Sequence, residues 1–180
     1  MPLQMTPFTA EPEPLAMRRC IGRFLTGVAV VTADDGQEQA GMTINSLTSI
    51  SLDPPIVMIS LNFDTRTGDA IETSDRYALS ILSSKQEAVA RQFASRGGER
   101  FADGSFDTTP SGLPVIRDAL SQLDCRVVEK HTIGDHRVFF GQVEHCRDRD
   151  GSGLSFNAGR FGAFKDFGHE PVRGTREDMR

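Results

Sequence analysis

The sequence predicts a mainly β protein, an antiparallel barrel with helices at its periphery. Short segments rich in β-branched residues are separated by turn residues, and only two or three segments space their apolar residues as a helix does. No βαβ unit repeats, and the glycines do not form the strand-to-helix fingerprint of a dinucleotide-binding α/β domain. Because 180 residues are enough for one well-buried core, we expect a single domain.

The N-terminal segment combines an arm with a helix. Residues 1–13 are rich in proline and acidic side chains, which leaves little that could pack, so we expect a flexible arm. From Pro14 onwards apolar residues recur at helical spacing, and Gly27 stands near the expected end of this helix. Those apolar residues are Leu15, Ile21, Phe24 and Leu25.

Two extended segments follow as a predicted hairpin. Residues 28–33 are β-branched, Asp35 and Gly36 supply a turn, and residues 40–52 form a second, longer run. An Asp-Pro-Pro sequence ends this run. The near-continuous apolar segment 56–61 then predicts a strand buried on both faces.

Helices flank one strand in the middle of the chain. We expect a short helix over residues 65–73 and a strand over residues 77–82. Ser84 and Glu87 have the spacing of a capping box, in which two side chains satisfy free amides at a helix start. A helix is therefore predicted to begin there and to continue through Phe93.

The second half contains a long loop and two strands. Residues 95–114 are too many for an idle connection and form a candidate ligand or interface loop. Residues 123–130 and 136–147 flank a tight turn and predict a pair of strands. We expect the domain to occupy residues 14–166, followed by a polar tail over residues 167–180.

Charge and cysteine content exclude several classes of protein. The net charge is −5, so there is no general attraction to nucleic acid. No apolar stretch approaches the roughly 20 residues that a membrane-spanning helix needs, and no signal peptide is recognisable. Cys20, Cys125 and Cys146 stand singly and suit reduced thiols with structural roles, so we expect a cytoplasmic location.

Metal-dependent, hydrolytic and phosphate-transferring sites find no support in the motifs. The histidines and cysteines show neither CxxC nor HExxH spacing, so no metal site is expected. There is also no GxSxG nucleophile elbow and no P-loop.

A row of neutral polar side chains is the most informative feature. If residues 41–55 are extended, Thr43, Asn45, Ser49 and Ser51 share one face. Such a ladder of donors and acceptors, without carboxylate or lysine, suits a heteroaromatic ring with carbonyls and ring nitrogens, such as a flavin. A solvent-facing Ser/Thr strand is the alternative interpretation.

The start of the second predicted helix is a candidate phosphate site. Arg66 and Thr67 stand where free amides and the helix dipole favour an anion. Simple capping by Asp64 or Thr65, with Arg66 in solvent, is the alternative.

His136 follows the tight turn at the start of the last predicted strand. From there its ring could reach a cleft and meet a nicotinamide or its phosphates. A turn stabilised by Asp135, with an incidental histidine beside it, is the alternative.

Taken together and in order, these segments resemble the short-chain flavin reductases of two-component monooxygenases. The resemblance runs from about residue 18 to residue 164 and rests on four motifs. They are Arg-Phe at 23–24 with Thr-Gly-Val-Ala-Val-Val-Thr at 26–32, Gly-Met-Thr-Ile-Asn-Ser at 41–46, Ser-Leu-Asp-Pro-Pro at 51–55, and Gly-Asp-His at 134–136.

The resemblance implies an FMN-binding split β-barrel that forms a homodimer. It also implies that His136 contacts the reduced pyridine nucleotide and is the catalytic residue, and that Phe161 occupies a position where the family often has tyrosine. The implied cofactor-binding residues are Gly41, Met42, Thr43, Ile44, Asn45, Ser46, Ser60, Leu61, Asn62, Arg66, Thr67, Phe93, Ala94, Ser95, Phe101, His136 and Phe161.

The implied activity is transfer of hydride from NADH, or alternatively NADPH, to FMN, or alternatively FAD. Hydride transfer between the two rings needs no protein acid to start it, which agrees with the lack of a recognisable catalytic dyad. The reduced flavin would diffuse to a partner monooxygenase, with neither nucleic acid nor membrane as a partner. Two alternatives stay open: a flavoprotein with tightly bound FMN that reduces a nitro compound or quinone, and a flavin-binding module without turnover.

Overall fold

The computed structural model describes residues 12–165, except 96, 98, 99, 102, 103 and 105, together with residues 5, 7, 8, 167 and 168. Most of the predicted arm and tail lies outside these residues, and the domain boundaries stay predictions. The helices are α1 (Pro14–Ile21), α2 (Arg66–Ser74) and α3 (Glu87–Ala94). The strands are β1 (Thr26–Gly27), β2 (Ala29–Asp34), β3 (Gln39–Ile44), β4 (Thr48–Leu52), β5 (Pro55–Asn62), β6 (Arg76–Ile81), β7 (Phe106–Thr108), β8 (Pro114–Ile116), β9 (Ser121–Ile133), β10 (His136–Asp148), β11 (Leu154–Asn157) and β12 (Arg160–Ala163).

Seven strands form the main sheet, in the order β3-β2-β6-β9-β10-β5-β4, with antiparallel pairing between neighbours. A smaller sheet has the order β1-β11-β12, and β7 pairs with β8. The main sheet has two edges and does not close, as expected for a split barrel. The predicted mainly β fold with peripheral helices is confirmed.

Strand β2 separates two clusters of core residues. Ala29 and Val31 face a cluster built around Tyr77 and Phe139, whereas Val30 faces a second cluster that includes Phe93 of α3. Because side chains alternate along a strand, β2 is buried on both faces.

The prediction that segment 56–61 is buried on both faces is wrong. In β5 the buried residues Val57, Ile59 and Leu61 alternate with less buried ones. The three buried side chains belong to the core cluster around Tyr77 and Phe139, so one face of β5 packs on the core while the side chains of the other face are only partly buried.

The predicted run 40–52 is two separate strands. Strand β3 pairs with β2, as the hairpin prediction requires, but β4 pairs with β5 at the opposite edge of the sheet. The chain leaves β3 after Ile44, and Ser46 then hydrogen-bonds to Ser60 of β5 through both its donor and its acceptor capacity. The polar ladder over residues 43–51 is therefore wrong as a single face.

The N-terminal helix is shorter than predicted. It ends at Ile21, with Gly22 as its C-cap, and the chain reaches β1 after a short connection. None of the residues of α1 is buried. The apolar residues Phe24 and Leu25 lie beyond the helix and are exposed.

The capping box at Ser84 and Glu87 is also wrong, although the helix itself is confirmed. The residue that reaches back is Gln86, whose Oε1 accepts hydrogen bonds from the backbone N–H and the hydroxyl of Ser83. The helix α3 begins at Glu87, and the contacts that cap it lie one residue earlier than predicted.

Several elements were not predicted from the sequence. Strands β7 and β8 lie within or next to the expected loop 95–114, and β1, β11 and β12 form the smaller sheet.

The burial of the cysteines also differs from the prediction, because only Cys125 of the three is buried. Burial raises the pKa of the Cys125 thiol to about 12, whereas Cys20 and Cys146 are exposed.

Candidate functional site

A groove of about 1250 Å³ runs beside α1. One wall is α1 with the segment that follows it, and the other includes the turn after β3 and the turn between β11 and β12. Three implied flavin-binding residues, Ile44, Asn45 and Ser46, lie in this wall. The groove therefore joins a predicted ligand segment to a helix that has no buried face.

The groove combines apolar surface with positive charge. Arg18, Arg19 and Arg23 line it, and none of the three forms an ion pair with another residue that the structure describes. Phe24 and Leu25 supply apolar surface nearby. Uncompensated arginines beside apolar walls suit a ligand that is both aromatic and anionic. The sequence analysis assigned no ligand contact to these three residues, although Arg23 stands in one of the family motifs and three arginines within six positions of an acidic chain were a usable signal.

The segment 41–46 turns its side chains in different directions. Thr43 donates a hydrogen bond to the carbonyl of Ala90 in α3, at 2.7 Å. Ser46 donates to the carbonyl of Ser60 at 2.7 Å, and Asn45 is exposed, with its Nδ2 3.3 Å from Oγ1 of Thr26. Met42 packs against the first core cluster. Asn45 is thus the residue of this segment whose side chain is most open to a ligand.

An aromatic cluster lies behind the same strand. The rings of Phe93 and Phe101 meet edge to face with centroids 5.6 Å apart, and both press on Gly41. A Cβ at Gly41 would lie 2.9 Å from Cε1 of Phe93, so this position requires glycine. Ala94 and Ser95 are exposed at the end of α3. Phe93 is buried within the chain itself, and its role as a flavin contact stays a prediction.

The end of β5 and the start of β10 bring three predicted residues together. His136 pairs with Asn62 across the two strands, and Ser60 pairs with Val138. The imidazole Nδ1 of His136 lies 2.7 Å from Oδ1 of Asp135, and this hydrogen bond holds the pKa of the Asp135 carboxyl below its usual range. The half-exposed ring is oriented by Asp135, which leaves Nε2 for a ligand.

The predicted phosphate site, at the start of α2, lies a few residues after Asn62 in the chain. Thr65 is the N-cap of α2 and its Oγ1 accepts from the N–H of Gly68 at 3.2 Å, so the capping expected of Asp64 or Thr65 is carried out by Thr65. The side chain of Arg66 is exposed and meets Glu38 at 3.4 Å. Thr67 is 2% exposed, so a ligand could reach its backbone amide rather than its hydroxyl.

Phe161 lies in the smaller sheet, apart from the histidine. Its ring is 5.2 Å from that of Phe156, and the guanidinium of Arg91 lies 5.1 Å from its centroid. Glu87 in turn holds Arg91 through two hydrogen bonds. Phe161 therefore packs at the edge of the second core cluster with one face covered by arginine.

No group of three or more potential metal ligands occurs among the residues that the structure describes. In the same part of the chain, no helix is long and apolar enough to cross a bilayer.

Comparison with known proteins gives a consistent result. The model of the flavin reductase like domain family matches residues 21–165. The FMN reductase (NADH) SmoA of Agrobacterium fabrum is 37% identical over 149 residues, which cover 83% of this chain and 85% of that protein. The reductase component of a 4-nitrophenol 4-monooxygenase/4-nitrocatechol 2-monooxygenase of Rhodococcus opacus is 35% identical, covering 89% of this chain and 86% of that protein.

A solved structure is similar in fold as well as in sequence. The NADH:FAD oxidoreductase SgcE6 of Streptomyces globisporus, in complex with NAD and FAD fragments, superposes with a TM-score of 0.85 at 32% identity. The match covers 91% of this chain and 100% of that chain. The family resemblance inferred from the four sequence motifs is confirmed.

Proposed function

This chain belongs to the flavin reductase family, and on that premise we propose that it catalyses the reduction of FMN, or alternatively FAD, by NADH. The balanced reaction converts NADH, a proton and oxidised flavin to NAD⁺ and reduced flavin. The observation that carries the proposal is the groove beside α1, which Asn45 and Ser46 line together with three arginines that form no ion pair among the described residues. The names of the relatives support NADH over NADPH and are divided between FMN and FAD.

The residues of the chain act by binding and orienting. Bound flavin accepts the hydride that bound NADH supplies. The neutral side chain of Asn45 and the amides around it are suited to the polar edge of the flavin ring, where hydrogen bonds stabilise developing negative charge. The free amides at the start of α2 suit the flavin phosphate, and His136 suits the nicotinamide nucleotide.

The reduced flavin leaves and supplies a partner monooxygenase. The names of several relatives support this role, because they are reductase components of such enzymes. The exposure of Asn45 in the groove wall also favours a flavin that enters and leaves. The cytoplasmic location expected from the sequence stays a prediction.

The test is to mix the purified chain with NADH and an excess of FMN and to follow absorbance at 340 nm. We expect NADH oxidation that depends on FMN, with sequential kinetics in the two substrates because both must be bound at once. Omitting FMN is the control. Ping-pong kinetics with tightly retained FMN would instead support the alternative enzyme, and no FMN-dependent oxidation with either NADH or NADPH would refute reductase activity.

The functional unit is a homodimer, with α1 and the segment after it in the interface. Large apolar side chains are exposed there as one group, which is unusual for a monomer. They are Leu15, Met17, Ile21, Phe24 and Leu25. In a two-fold symmetric dimer, this patch would pack against the same patch of a second copy of the chain, so both would be buried.

We expect light scattering after size exclusion to give about twice the chain mass of 19.7 kDa. Phe24→Asp should shift the mass toward that of a monomer, because it places a charge in the apolar patch. The matched control is Ile133→Asp, since Ile133 is similarly exposed, at 64% against 71% for Phe24, at the tip of the β9–β10 hairpin. A monomeric unchanged chain would contradict the dimer.

A further inference from the structure

Arg137 is a buried arginine. It is 9% exposed and follows His136 directly on β10. Its Nη2 donates to the carbonyl of Phe63 at 2.5 Å, to Oδ1 of Asp69 at 2.8 Å and to the carbonyl of Thr65 at 3.4 Å. Buried cations are retained when they are paired and hydrogen-bonded, and here the polar partners lie in one segment, the start of α2 and the loop before it.

The contacts of Arg137 reinforce the direction of that loop's amides, together with backbone hydrogen bonds to the same carbonyls. The N–H of each residue points opposite to the preceding carbonyl, because the trans peptide unit is planar, and these peptide bonds are not cis. The carbonyl of Phe63 accepts from Arg137 and from the N–H of Thr65 at 3.1 Å, and the carbonyl of Thr65 accepts chiefly from the N–H of Asp69 in α2 at 3.0 Å. The N–H groups of Asp64 and Arg66 point the opposite way. No acceptor for these two N–H groups is found in the described part of the chain. They are available to an anion at the start of α2.

Gly68 makes room for this arrangement. A Cβ at Gly68 would lie 2.7 Å from Nη2 of Arg137 and 2.8 Å from Oγ1 of Thr65. Glycine is otherwise a poor choice in the first turns of a helix. The close approach of the guanidinium therefore explains the residue at this position.

The same loop is fastened to the turn that carries His136. The N–H of Phe63 donates to the carbonyl of Asp135 at 2.9 Å, and the guanidinium of Arg137 lies 5.0 Å from the centroid of the Phe63 ring. Arg137 thus ties the loop before α2 to the strand that begins with His136. Arg137 and this backbone hydrogen bond together fix the distance between the loop and His136, and hence the spacing of two contacts to any ligand that both elements hold.

We propose that Arg137 is a positioning residue for the flavin phosphate: it holds the loop 63–67 so that the outward amides form the phosphate site. The inference rests on the function proposed above. It acts through backbone geometry rather than through the arginine's charge, because the guanidinium is buried on the inner side of the loop.

The test compares FMN with riboflavin, which has the same ring and no phosphate, by quenching of flavin fluorescence. We expect the unchanged chain to bind FMN more tightly. The ratio of the riboflavin Kd to the FMN Kd should fall by about 10-fold in both Arg137→Gln and Arg137→Lys. Lysine is expected to behave like glutamine here because it keeps the charge but lacks the planar fork of arginine. Riboflavin affinity should stay within about two-fold. The matched control is Arg126→Gln, an exposed arginine of β9 that bonds to Gln142 and Glu144.

Several outcomes would overturn the inference. Full retention of the ratio by Arg137→Lys would mean that charge alone matters, and equal loss of both ligands would mean a merely structural role. Gly68→Ala, which keeps the arginine but displaces its guanidinium, should lower the ratio in the same direction, and an unchanged ratio would also refute positioning. A partly folded variant can still be measured, because a lower folded fraction changes the apparent Kd of FMN and that of riboflavin by the same factor and leaves their ratio unchanged.

A failure of the underlying function would look different. If the unchanged chain binds no FMN, the proposed function fails and the inference falls with it. If it binds FMN and riboflavin equally well, flavin binding stands but the phosphate site at α2, and with it the role of Arg137, is wrong.

Discussion

Gly141→Ala is expected to lower the free energy of unfolding by about 3 kcal/mol and the Tm by roughly 6–12 °C. The added Cβ would lie 2.2 Å from Oη of Tyr77, 2.6 Å from its Cζ and 2.8 Å from its Cε1. Tyr77 is fully buried in the first core cluster, and its ring cannot bend away as a flexible side chain could. Either β10 or the ring must move, and both lie in the centre of the sheet.

Thermal and denaturant unfolding at one fixed protein concentration would measure this loss, because a dimer's stability depends on concentration. The matched control is Gly153→Ala, where the new Cβ would meet its nearest neighbour, Cδ1 of Leu120, at an ordinary 3.9 Å. It should change stability by less than about 0.5 kcal/mol. In a Tyr77→Phe background the cost of Gly141→Ala should shrink because the closest atom is gone, and an equal cost in both backgrounds would contradict the tyrosine as its cause.

Elements governed by local interactions were predictable from the sequence. The turn between β2 and β3 is held by Asp34 and Asp35, whose carboxylates accept from amides two or three residues away. The start of α2 is held by Thr65, three residues before the amide that it caps. Such signals survive in a single sequence because donor and acceptor are close together in the chain.

Elements governed by distant contacts were not predictable. The run 40–52 has uniform strand propensity, and its break depends on Ser46 meeting Ser60 on another strand. In the same way β1 becomes a strand because it pairs with β11, about 130 residues later in the chain, as local propensity alone does not require.

The candidate site also contains residues that local sequence reveals and residues that only distant contacts reveal. The histidine at the Gly-Asp-His turn stands out in the sequence, whereas Arg137 beside it looks like an ordinary polar residue of a strand. Its partners Phe63, Thr65 and Asp69 lie about 70 residues earlier, and only the pairing of β10 with β5 brings them together. The arginines in and just after α1 became candidate ligand contacts only because the fold places them in one groove with Asn45, where they form no ion pair with any described residue.

His136→Ala is expected to lower kcat/KM for NADH by about 10- to 100-fold, mainly through a higher KM, while the Kd of FMN changes by less than about two-fold. The physical reason is that the substitution removes the Nε2 group proposed to meet the nicotinamide nucleotide. It leaves the backbone pairing of residue 136 with Asn62 in place, so the flavin-binding end of β5 keeps its geometry. Steady-state kinetics with varied NADH, together with FMN fluorescence titration, would measure the two effects separately.

The same hairpin supplies the matched control, His131→Ala. His131 is half-exposed on β9, where its Nε2 lies 2.7 Å from Oε1 of Glu129 and its ring packs edge-on against Phe140. It resembles His136 in having a carboxylate partner, but it does not adjoin Asn62, so its loss should leave both constants nearly unchanged. If His136→Ala weakened FMN and NADH equally, the histidine would belong to the shared framework of the site. If both histidine variants lost NADH affinity alike, the effect would come from the hairpin, and the proposed contact between His136 and the nicotinamide nucleotide would be wrong.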